Sequence, residues 1–289
     1  MNNSRKQTLQ AYLFLLPALV LLLLFSFWPV GFGSLLAFTD FSLVRSTHWV
    51  GLDNFRYIFD NDMFLTGIKN SLLFLLIVPF IQIGAISLAV LVNNQLPGIR
   101  FFRAAFYVPV VTTVSVVGIM WGFMFHEQGT LNFILLKIHA VNSPVGWLSD
   151  DAMAIFAIMF VTLWRGLGWY MVMYLAGLQS IPVEMQEAAI LDGANRWQRF
   201  WKITVPMLFP TIMVCTIMSV LAALKAYQEV DVLTQGGPMN STFTALYYAY
   251  DQGLKHLKLP RGLAASLVVS LFCIGIALLC LRYLKPKHR

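Results

Sequence analysis

The chain has 289 residues, of which 58% are hydrophobic and 11% are charged, and its mean hydropathy is +0.72. Since about 25% of the residues in an ordinary soluble domain are charged, this composition excludes that class and favours a protein embedded in a lipid bilayer. The formal net charge of +7 comes from basic residues that are spread over loop ends instead of forming a stripe, so nucleic acid is not an expected partner.

Six apolar stretches meet or approach the roughly 20 residues that a transmembrane helix requires. In chain order they run from Ala11 to Phe38, Leu72 to Val92, Ala104 to Phe125, Ala152 to Leu178, Val205 to Leu224 with an expected polar extension, and Leu263 to Leu281. The sequence has no strand-length segments of alternating polarity, which disfavours a transmembrane barrel. It therefore predicts an all-α membrane protein with six transmembrane helices.

The first apolar stretch follows Arg5 and Lys6 and could be a cleaved signal peptide. It is longer than the apolar core of about 7 to 15 residues found in such peptides, and no A-x-A-like site follows it, so we expect it to be the first span. The outer loops from Thr39 to Ile68 and from His126 to Asp151 are too short for an independent domain. We predict a single membrane domain over residues 1–289, with the N-terminal helix and first outer loop at 1–67 and a membrane core at 68–284.

The distribution of lysine and arginine predicts the orientation, because these residues are enriched in cytoplasmic loops. With a cytoplasmic N-terminus, the inner segments carry Arg5, Lys6, Arg100, Arg103, Arg196, Arg199, Lys202, Arg282, Lys285, Lys287 and Arg289. The outer segments are longer but carry fewer: Arg45, Arg56, Lys69, Lys137, Lys225, Lys255, Lys258 and Arg261. Both termini are therefore predicted to be cytoplasmic.

The fourth apolar stretch contains a charged residue, Arg165, about halfway along its length. A charge at the centre of a membrane helix costs about 2.5 to 3.5 kcal/mol on insertion scales and normally faces a partner or a cavity. The nearest acidic candidate by depth is Glu229, and the alternative is a hydroxyl or anionic group of a solute. Thr162, Gly166 and Trp169 share the helix face of Arg165 by their spacing. The face either lines a water-filled substrate pathway or, for the glycines of this helix, packs against a neighbouring helix.

A polar segment, "EMQEAAILDGANRWQRFWKITVP" at residues 184–206, separates the fourth and fifth stretches. Ser180 is a predicted N-cap with Pro182 in the first turn, and Glu184 and Glu187 suit a helix start. Gly193 is expected to end this helix, and an amphipathic one follows. The segment at residues 180–204 either lies on lipid headgroups or docks a partner, for which the small residues Ala188, Ala189 and Gly193 would allow close approach.

The fifth apolar stretch carries a matching face if its helix continues past Leu224. The residues of this face are Ser219, Ala223, Ala226 and Tyr227. Lys225 and Glu229 are spaced i, i+4 and could pair on that helix or be solvated at its outer end. Further on, "STFTALYYAYDQG" at 241–253 predicts a short external interfacial helix, with Ser241 as a possible cap.

Signatures of catalysis are missing from the sequence. It contains no phosphate-binding loop, no nucleophile elbow and no H-E-x-x-H pair, and its five histidines fall on different loops or tails. Cys215, Cys273 and Cys280 lie in apolar stretches without C-x-x-C spacing, so we expect packing roles and no bound metal or cofactor. If the protein performs energy-driven work, another protein supplies the energy.

The polar segment resembles the EAA motif of the integral membrane permeases of binding-protein-dependent ABC importers. The matching positions are Glu187, Ala188, Ala189, Gly193, Ile203 and Pro206, with Val205 where the motif has leucine. "VGLDNFRYI" at 50–58, "KNSLLF" at 69–74, "FYVPVV" at 106–111, "GTLN" at 129–132, "GLQSIP" at 177–182 and "LTQGGPMNST" at 233–242 are similar to the carbohydrate-importing branch, and in particular to the first of its two permeases.

The resemblance implies a type I ABC importer transmembrane domain in a prokaryotic inner membrane. The implied partners are a second homologous permease, two cytoplasmic ATPase subunits that use ATP and Mg, an extracytoplasmic solute-binding protein, a sugar and membrane lipid. It implies ATPase coupling through Glu184, Glu187, Ala188, Ala189, Asp192 and Gly193. The helices on either side of the EAA loop would line the sugar site.

Two alternatives from other classes remain open. An autonomous secondary transporter or channel is disfavoured because such proteins often carry internal repeats and intramembrane carboxylates, whereas the acidic residues here crowd the outer loops. An intramembrane enzyme is disfavoured because no nucleophile and base, or metal-ligand pair, lies within the spans.

Overall fold

The computed structural model describes residues 3–42, 46–93 and 98–283. The chain is mostly helical over these ranges, where strand-like pairing is limited to an isolated antiparallel bridge between Thr39 and Trp49. The predicted all-α fold class is confirmed. Of the features used above, the C-terminal limit of the membrane core at residue 284 and the basic residues Arg45, Lys285, Lys287 and Arg289 lie outside the described ranges.

The structure divides into two compact units, which are described separately. The first consists of residues 1–61 and 249–268. It begins with helix α1 (Asn3–Leu22), which continues through a π-helical turn (Leu23–Phe27) into α2 (Trp28–Leu36). Within this run, Ala11–Leu36 is a candidate span of 26 residues, and none of its most apolar window is buried by the chain itself. Lipid or another protein is required to cover it.

A loop and helix α3 (Asp53–Phe59) follow the first span in this unit. Asn54 Nδ2 donates hydrogen bonds to the carbonyl oxygens of Ala37 and Thr39, at 2.9 and 2.8 Å, which fixes α3 against the end of the span. The backbone N–H of His48 donates to the carboxylate of Asp40 at 2.5 Å, and this bond holds the pKa of Asp40 below its usual value. The segment "VGLDNFRYI", which contains Asn54, therefore attaches α3 to the end of the first span.

The second unit consists of residues 62–248 and 269–289. Its first span joins α4 (Asp62–Leu73), a 3₁₀ turn (Phe74–Leu76) and α5 (Ile77–Val92). Its other long helices are α9 (Asp151–Gln179) and α12 (Val205–Leu224), while α14 (Ala245–Tyr250) and α15 (Leu259–Tyr283) contribute residues to both units. Counted over the whole described chain, five helical runs are long and apolar enough to cross a membrane.

The predicted third span is not a straight helix. α6 (Ile99–Val111) ends before Thr112 and Thr113, and α7 (Val114–Phe125) leads on to α8 (Thr130–Lys137) at an angle of 101° to α6. Both threonines have extended backbones, with ψ of 134° and 147°. Valines flank them, and β-branched residues are poor helix formers, which favours a break here. The spans number six if the bent pair is one span.

Close helix contacts in this unit occur at glycines of α9. A Cβ atom at Gly166 would lie 3.1 Å from Ile81 on α5, and one at Gly177 would lie 2.7 Å from the Thr211 hydroxyl on α12. Small residues let membrane helices approach in this way. The contacts join α5, α9 and α12 into the core of the unit.

A buried polar cluster ties the same three helices together. Gln82 Nε2 on α5 donates to the Ser219 hydroxyl at 2.7 Å and to the Cys215 carbonyl at 3.3 Å, both on α12. The Tyr174 hydroxyl on α9 donates to Gln82 Oε1. Lipid tails offer these side chains no hydrogen-bond partners, so the side chains must bond to one another. The cluster therefore fixes how these helices pack.

Candidate coupling surface and intramembrane ion pair

The coupling segment, residues 180–204, begins with a helix end and not with the predicted N-cap. Ser180 caps the C-terminus of α9, where its hydroxyl donates to the Gly177 carbonyl at 2.7 Å. Pro182 is the N-cap of α10 (Val183–Leu191). The predicted role of Ser180 is wrong because the last turn of α9 already uses its side chain. Two residues lie between Ser180 and α10, so the connection between α9 and α10 is short.

The turn at Gly193 has the geometry that its sequence predicts. Gly193 has φ of +78°, its N–H donates to the Ile190 carbonyl at 3.0 Å, and the N–H of Ala194 donates to the Ala189 carbonyl at 2.9 Å. These two bonds form a Schellman motif, which glycine favours because it has no Cβ to strain a left-handed backbone. The helix-turn-helix prediction for this segment is confirmed.

The second helix of the segment begins with a capping box. The Asn195 side chain accepts from the N–H of Gln198 at 2.8 Å, and the Gln198 side chain accepts from the N–H of Asn195 at 2.9 Å. This helix, α11 (Arg196–Arg199), continues through a π-helical turn (Phe200–Thr204) into α12. No break precedes the fifth span, because Arg196–Leu224 forms one helical run of 29 residues.

The outer surface of α10 combines exposed carboxylates with exposed apolar side chains. Glu184, Glu187 and Asp192 are exposed, as are Ala188 and Gly193. Leu191 is 88% exposed and Val183 is 65% exposed. Ala189 is buried, so the expected patch of small residues loses this member, which turns toward the chain's own interior. Apolar side chains this exposed beside acidic ones are typical of a surface that another protein covers.

Arg165 forms an ion pair with Glu229, which is the acidic partner that membrane depth predicts. Arg165 Nη1 lies 2.7 Å from Glu229 Oε1, and the two side chains are 22% and 12% exposed. Arg165 Nε is buried and has no hydrogen-bond acceptor among the described residues. The pair is thus partly satisfied and retains a donor for a further acceptor.

Glu229 reaches Arg165 because the fifth helix ends earlier than predicted. α12 stops at Leu224, and a short helix, α13 (Gln228–Leu233), follows. The Thr244 hydroxyl donates to the Ala226 carbonyl at 2.5 Å, in the break between the two helices. Of the two alternatives for Lys225, the i, i+4 pairing with Glu229 on a continuous helix is therefore wrong, and the Lys225 side chain is exposed.

The other residues of the predicted pathway occupy different environments. The Thr162 hydroxyl donates to its own helix at the Ile158 carbonyl, 3.0 Å away, and Gly166 packs against α5. Trp169 is 43% exposed. Ser219, Ala223 and Ala226 are buried, and Tyr227 is half-buried. The structure therefore brings Arg165 and Glu229 together, and a role in the substrate pathway stays a prediction for this pair as well as for the other residues.

Sequence reasoning missed Gln82 and Tyr174, which hold the buried polar cluster. The available signal was a lone glutamine within the apolar run of α5, since an uncharged amide in a membrane helix also needs a partner. Among residues 3–42, 46–93 and 98–283, no three His, Cys, Asp or Glu side chains are grouped so that they could hold a metal ion.

Comparison with known proteins agrees with this architecture. The family described as "Binding-protein-dependent transport system inner membrane component" matches residues 7–288. The lactose transport system permease protein LacF of Rhizobium radiobacter is 32% identical over 264 residues, or 86% of this chain and 84% of that protein. The sn-glycerol-3-phosphate permease protein UgpA of Agrobacterium fabrum is 29% identical over 282 residues, or 96% and 94% of the two chains.

A solved structure shares the fold. It is a bacterial alginate ABC transporter in complex with an alginate pentasaccharide-bound periplasmic protein; one of its chains matches with a TM-score of 0.84 and 24% identity, covering 97% of this chain and 95% of that one. Together with the family match over nearly the whole sequence, these findings identify the chain. It is a multi-pass membrane protein that belongs to the family of binding-protein-dependent transport system inner membrane components.

Proposed function

We propose that this chain is a permease subunit of an ATP-driven carbohydrate importer and that the coupling segment is where ATP hydrolysis acts on it. The observation that carries the proposal is the exposed α10 surface, with its carboxylates and its 88%-exposed Leu191, in a chain of this family. The solutes named for the relatives, lactose, sn-glycerol-3-phosphate and alginate, all carry several hydroxyl groups. A sugar or related polyol is the corresponding solute class here.

The proposal assigns a partner to each exposed surface. Two cytoplasmic ATPase subunits bind and hydrolyse ATP with Mg, and one of them receives α10; this chain itself catalyses no chemistry. A second, homologous permease completes the solute path, and an extracytoplasmic solute-binding protein delivers the sugar, as the periplasmic protein in the alginate transporter complex suggests. Both termini and the coupling segment lie in the cytoplasm, and residues 1–289 act as one membrane domain.

The connections of the coupling segment support transmission of movement. Two residues separate Ser180, the cap of α9, from α10, and α11 runs without interruption into α12. A displacement of α10 is therefore carried to both helices and not absorbed in a loop. Since the Gln82 cluster ties α9 and α12 to α5, these helices are expected to move together and alternate the access of the solute site between the two sides of the membrane.

The solute site is proposed around the Arg165–Glu229 pair. The buried Arg165 Nε lacks an acceptor among the described residues, and a solute hydroxyl or anionic group could supply one. Trp169, on the same face of α9 by spacing, offers an exposed ring on which the apolar face of a sugar could stack. Polar groups that fix orientation beside an aromatic surface are typical of small-molecule sites.

The test is co-purification of the ATPase with the tagged chain, together with sugar uptake into vesicles. Glu187→Lys and Gly193→Asp should leave the chain in the membrane but weaken ATPase attachment and uptake. Lys202→Gln, an exposed change outside α10, is the matched control and should leave attachment unchanged. Normal uptake in both α10 variants would contradict the proposal. Uptake by the purified chain without any ATPase would favour an autonomous transporter instead.

A further inference from the structure

A cavity of about 520 Å³ lies where the ends of α5 and α9 face the coupling segment. Its apolar wall includes Leu91 on α5, Leu178 on α9 and Phe200 in the π-helical turn. Arg196 and Arg199 on α11 supply its charged wall. The solute site proposed above does not use this cavity, and the α10 surface proposed to receive the ATPase does not line it.

The charge of the cavity is not balanced from within the described chain. Its described lining residues include two arginines but no carboxylate. The acidic residues of the coupling segment, Glu184, Glu187 and Asp192, are exposed elsewhere on it. The two other polar groups of the coupling segment that line the cavity satisfy one another, since Gln186 Nε2 donates to the Thr204 hydroxyl at 3.3 Å. The cavity is therefore electropositive.

Arg199 also has an unmet hydrogen bond. Its Nε is buried and finds no acceptor among the described residues. Leaving such a donor buried and unpaired is destabilising, and more so when the group is charged. Arg196 and Arg199 are three residues apart on one helix, so both guanidinium groups can approach the same anion. Guanidinium groups match the geometry of phosphate oxygens, to which they form paired hydrogen bonds.

Aromatic side chains beside the cavity indicate its depth in the membrane. Phe200, which lines the cavity, contacts Trp201 with ring centroids 5.2 Å apart, and Trp201 contacts Trp197 at 5.6 Å. The two tryptophans are 52% and 69% exposed. Exposed tryptophans next to membrane helices are typical of the headgroup level, and basic pockets between helices at the cytoplasmic surface bind anionic headgroups.

We propose that this cavity binds a phosphate group through Arg199 and Arg196, and that an anionic lipid headgroup supplies it. Bound there, the phosphate joins the coupling segment to the end of α5 and holds the segment at the membrane surface. The proposal rests on the proposed function only for the side of the membrane on which the cavity lies. Phosphate binding by the arginines is independent of ATPase attachment, so the two can fail separately.

The test uses the purified full chain in nanodiscs of phosphatidylcholine, with or without phosphatidylglycerol. Retention of phosphatidylglycerol is measured by native mass spectrometry, and the unfolding temperature is measured in parallel. We expect phosphatidylglycerol to bind the native chain and Lys202→Gln alike and to raise their unfolding temperatures. Arg199→Gln should bind it about tenfold more weakly, which corresponds to about 1.4 kcal/mol. Arg199→Lys should be intermediate, because it keeps the charge but loses the buried Nε donor.

Further arms identify the source of the phosphate. If inorganic phosphate in phosphatidylcholine nanodiscs stabilises the native chain and not Arg199→Gln, the site is upheld with a soluble ligand. Equal retention and stabilisation in the native chain and in both Arg199→Gln and Arg196→Gln would overturn the proposal. It is also overturned if neither anion binds and Arg199→Gln instead weakens ATPase attachment equally in both lipids, since the acceptor is then a partner's carboxylate.

Discussion

Replacing Arg165 by alanine removes the cation that neutralises Glu229. The Glu229 side chain is 12% exposed and its carboxylate lies 2.7 Å from Arg165 Nη1, so it would be left buried without a counter-ion. Breaking a buried ion pair from one side costs about 3–5 kcal/mol. Because Arg165 is 22% exposed, water can replace part of the lost interaction. We therefore expect the lower end, about 3 kcal/mol of unfolding free energy.

The pair is isolated by a double-mutant cycle of Arg165→Ala, Glu229→Ala and both together. Removing both charges leaves no uncompensated ion, so the double variant should be more stable than the sum of the single losses predicts. We expect a coupling free energy of about 2 kcal/mol, within the range for contacting residues. Unfolding in mixed detergent micelles measures it. Lys225→Ala removes an exposed charge at the end of α12, four residues before Glu229, and serves as the control for stability.

Sugar uptake with the ATPase present separates a structural role from a solute-binding role. If the arginine only neutralises Glu229, uptake should return in the double variant together with stability. If Arg165 also binds the solute, stability returns but uptake stays low, with the loss expressed in apparent affinity. A loss of stability in the double variant equal to the sum of the two single losses would refute the ion-pair argument. Unchanged uptake and affinity in Arg165→Ala would remove this residue from the proposed pathway.

Three further predictions concern the coupling segment and the topology. Gly193→Ala should cost about 1–2 kcal/mol, because φ is +78° and a side chain is strained there although no atom would be contacted; thermal unfolding measures this. Leu191→Lys should leave unfolding unchanged, because Leu191 is 88% exposed, yet reduce ATPase co-purification. In a background without Cys215, Cys273 and Cys280, an impermeant thiol reagent added outside should label a cysteine placed at Met239, which is 88% exposed. The same reagent should not label a cysteine placed at Arg199. The reverse pattern would contradict the predicted orientation.

Local signals carried the predictions that succeeded. The coupling segment folds as expected because its turn and its second helix start are set within a few residues, by Gly193 and by Asn195 with Gln198. The pairing of Arg165 with Glu229 was predicted by a different argument. An intramembrane charge requires an opposite charge at similar depth, and few acidic residues satisfy that condition.

The predictions that failed depended on direction or on distant contacts. Hydropathy measures the composition of a segment and not its course, so the bend at Thr112 and Thr113 was hidden within one apolar run. The burial of Asn132 in an outer loop was also hidden, because it depends on a contact with a residue 13 positions further on: Asn132 Oδ1 accepts from the N–H of Val145 at 3.0 Å. Gln82 and Tyr174 are far apart in sequence, and no spacing links them.

The end of the fifth helix shows why the intramembrane site could be predicted only in part. No glycine or proline marks the break after Leu224, and the carbonyl of Ala226 accepts from Thr244, a residue 18 positions further along the chain. Had α12 continued, Lys225 and Glu229 would have faced one another across one helical turn. The break instead places Glu229 on α13 beside Arg165 and leaves Lys225 exposed. The hydrogen bond between Thr244 and Ala226 joins distant segments at this break, where Glu229 pairs with an arginine and not with the nearby lysine. Local sequence patterns do not encode such contacts.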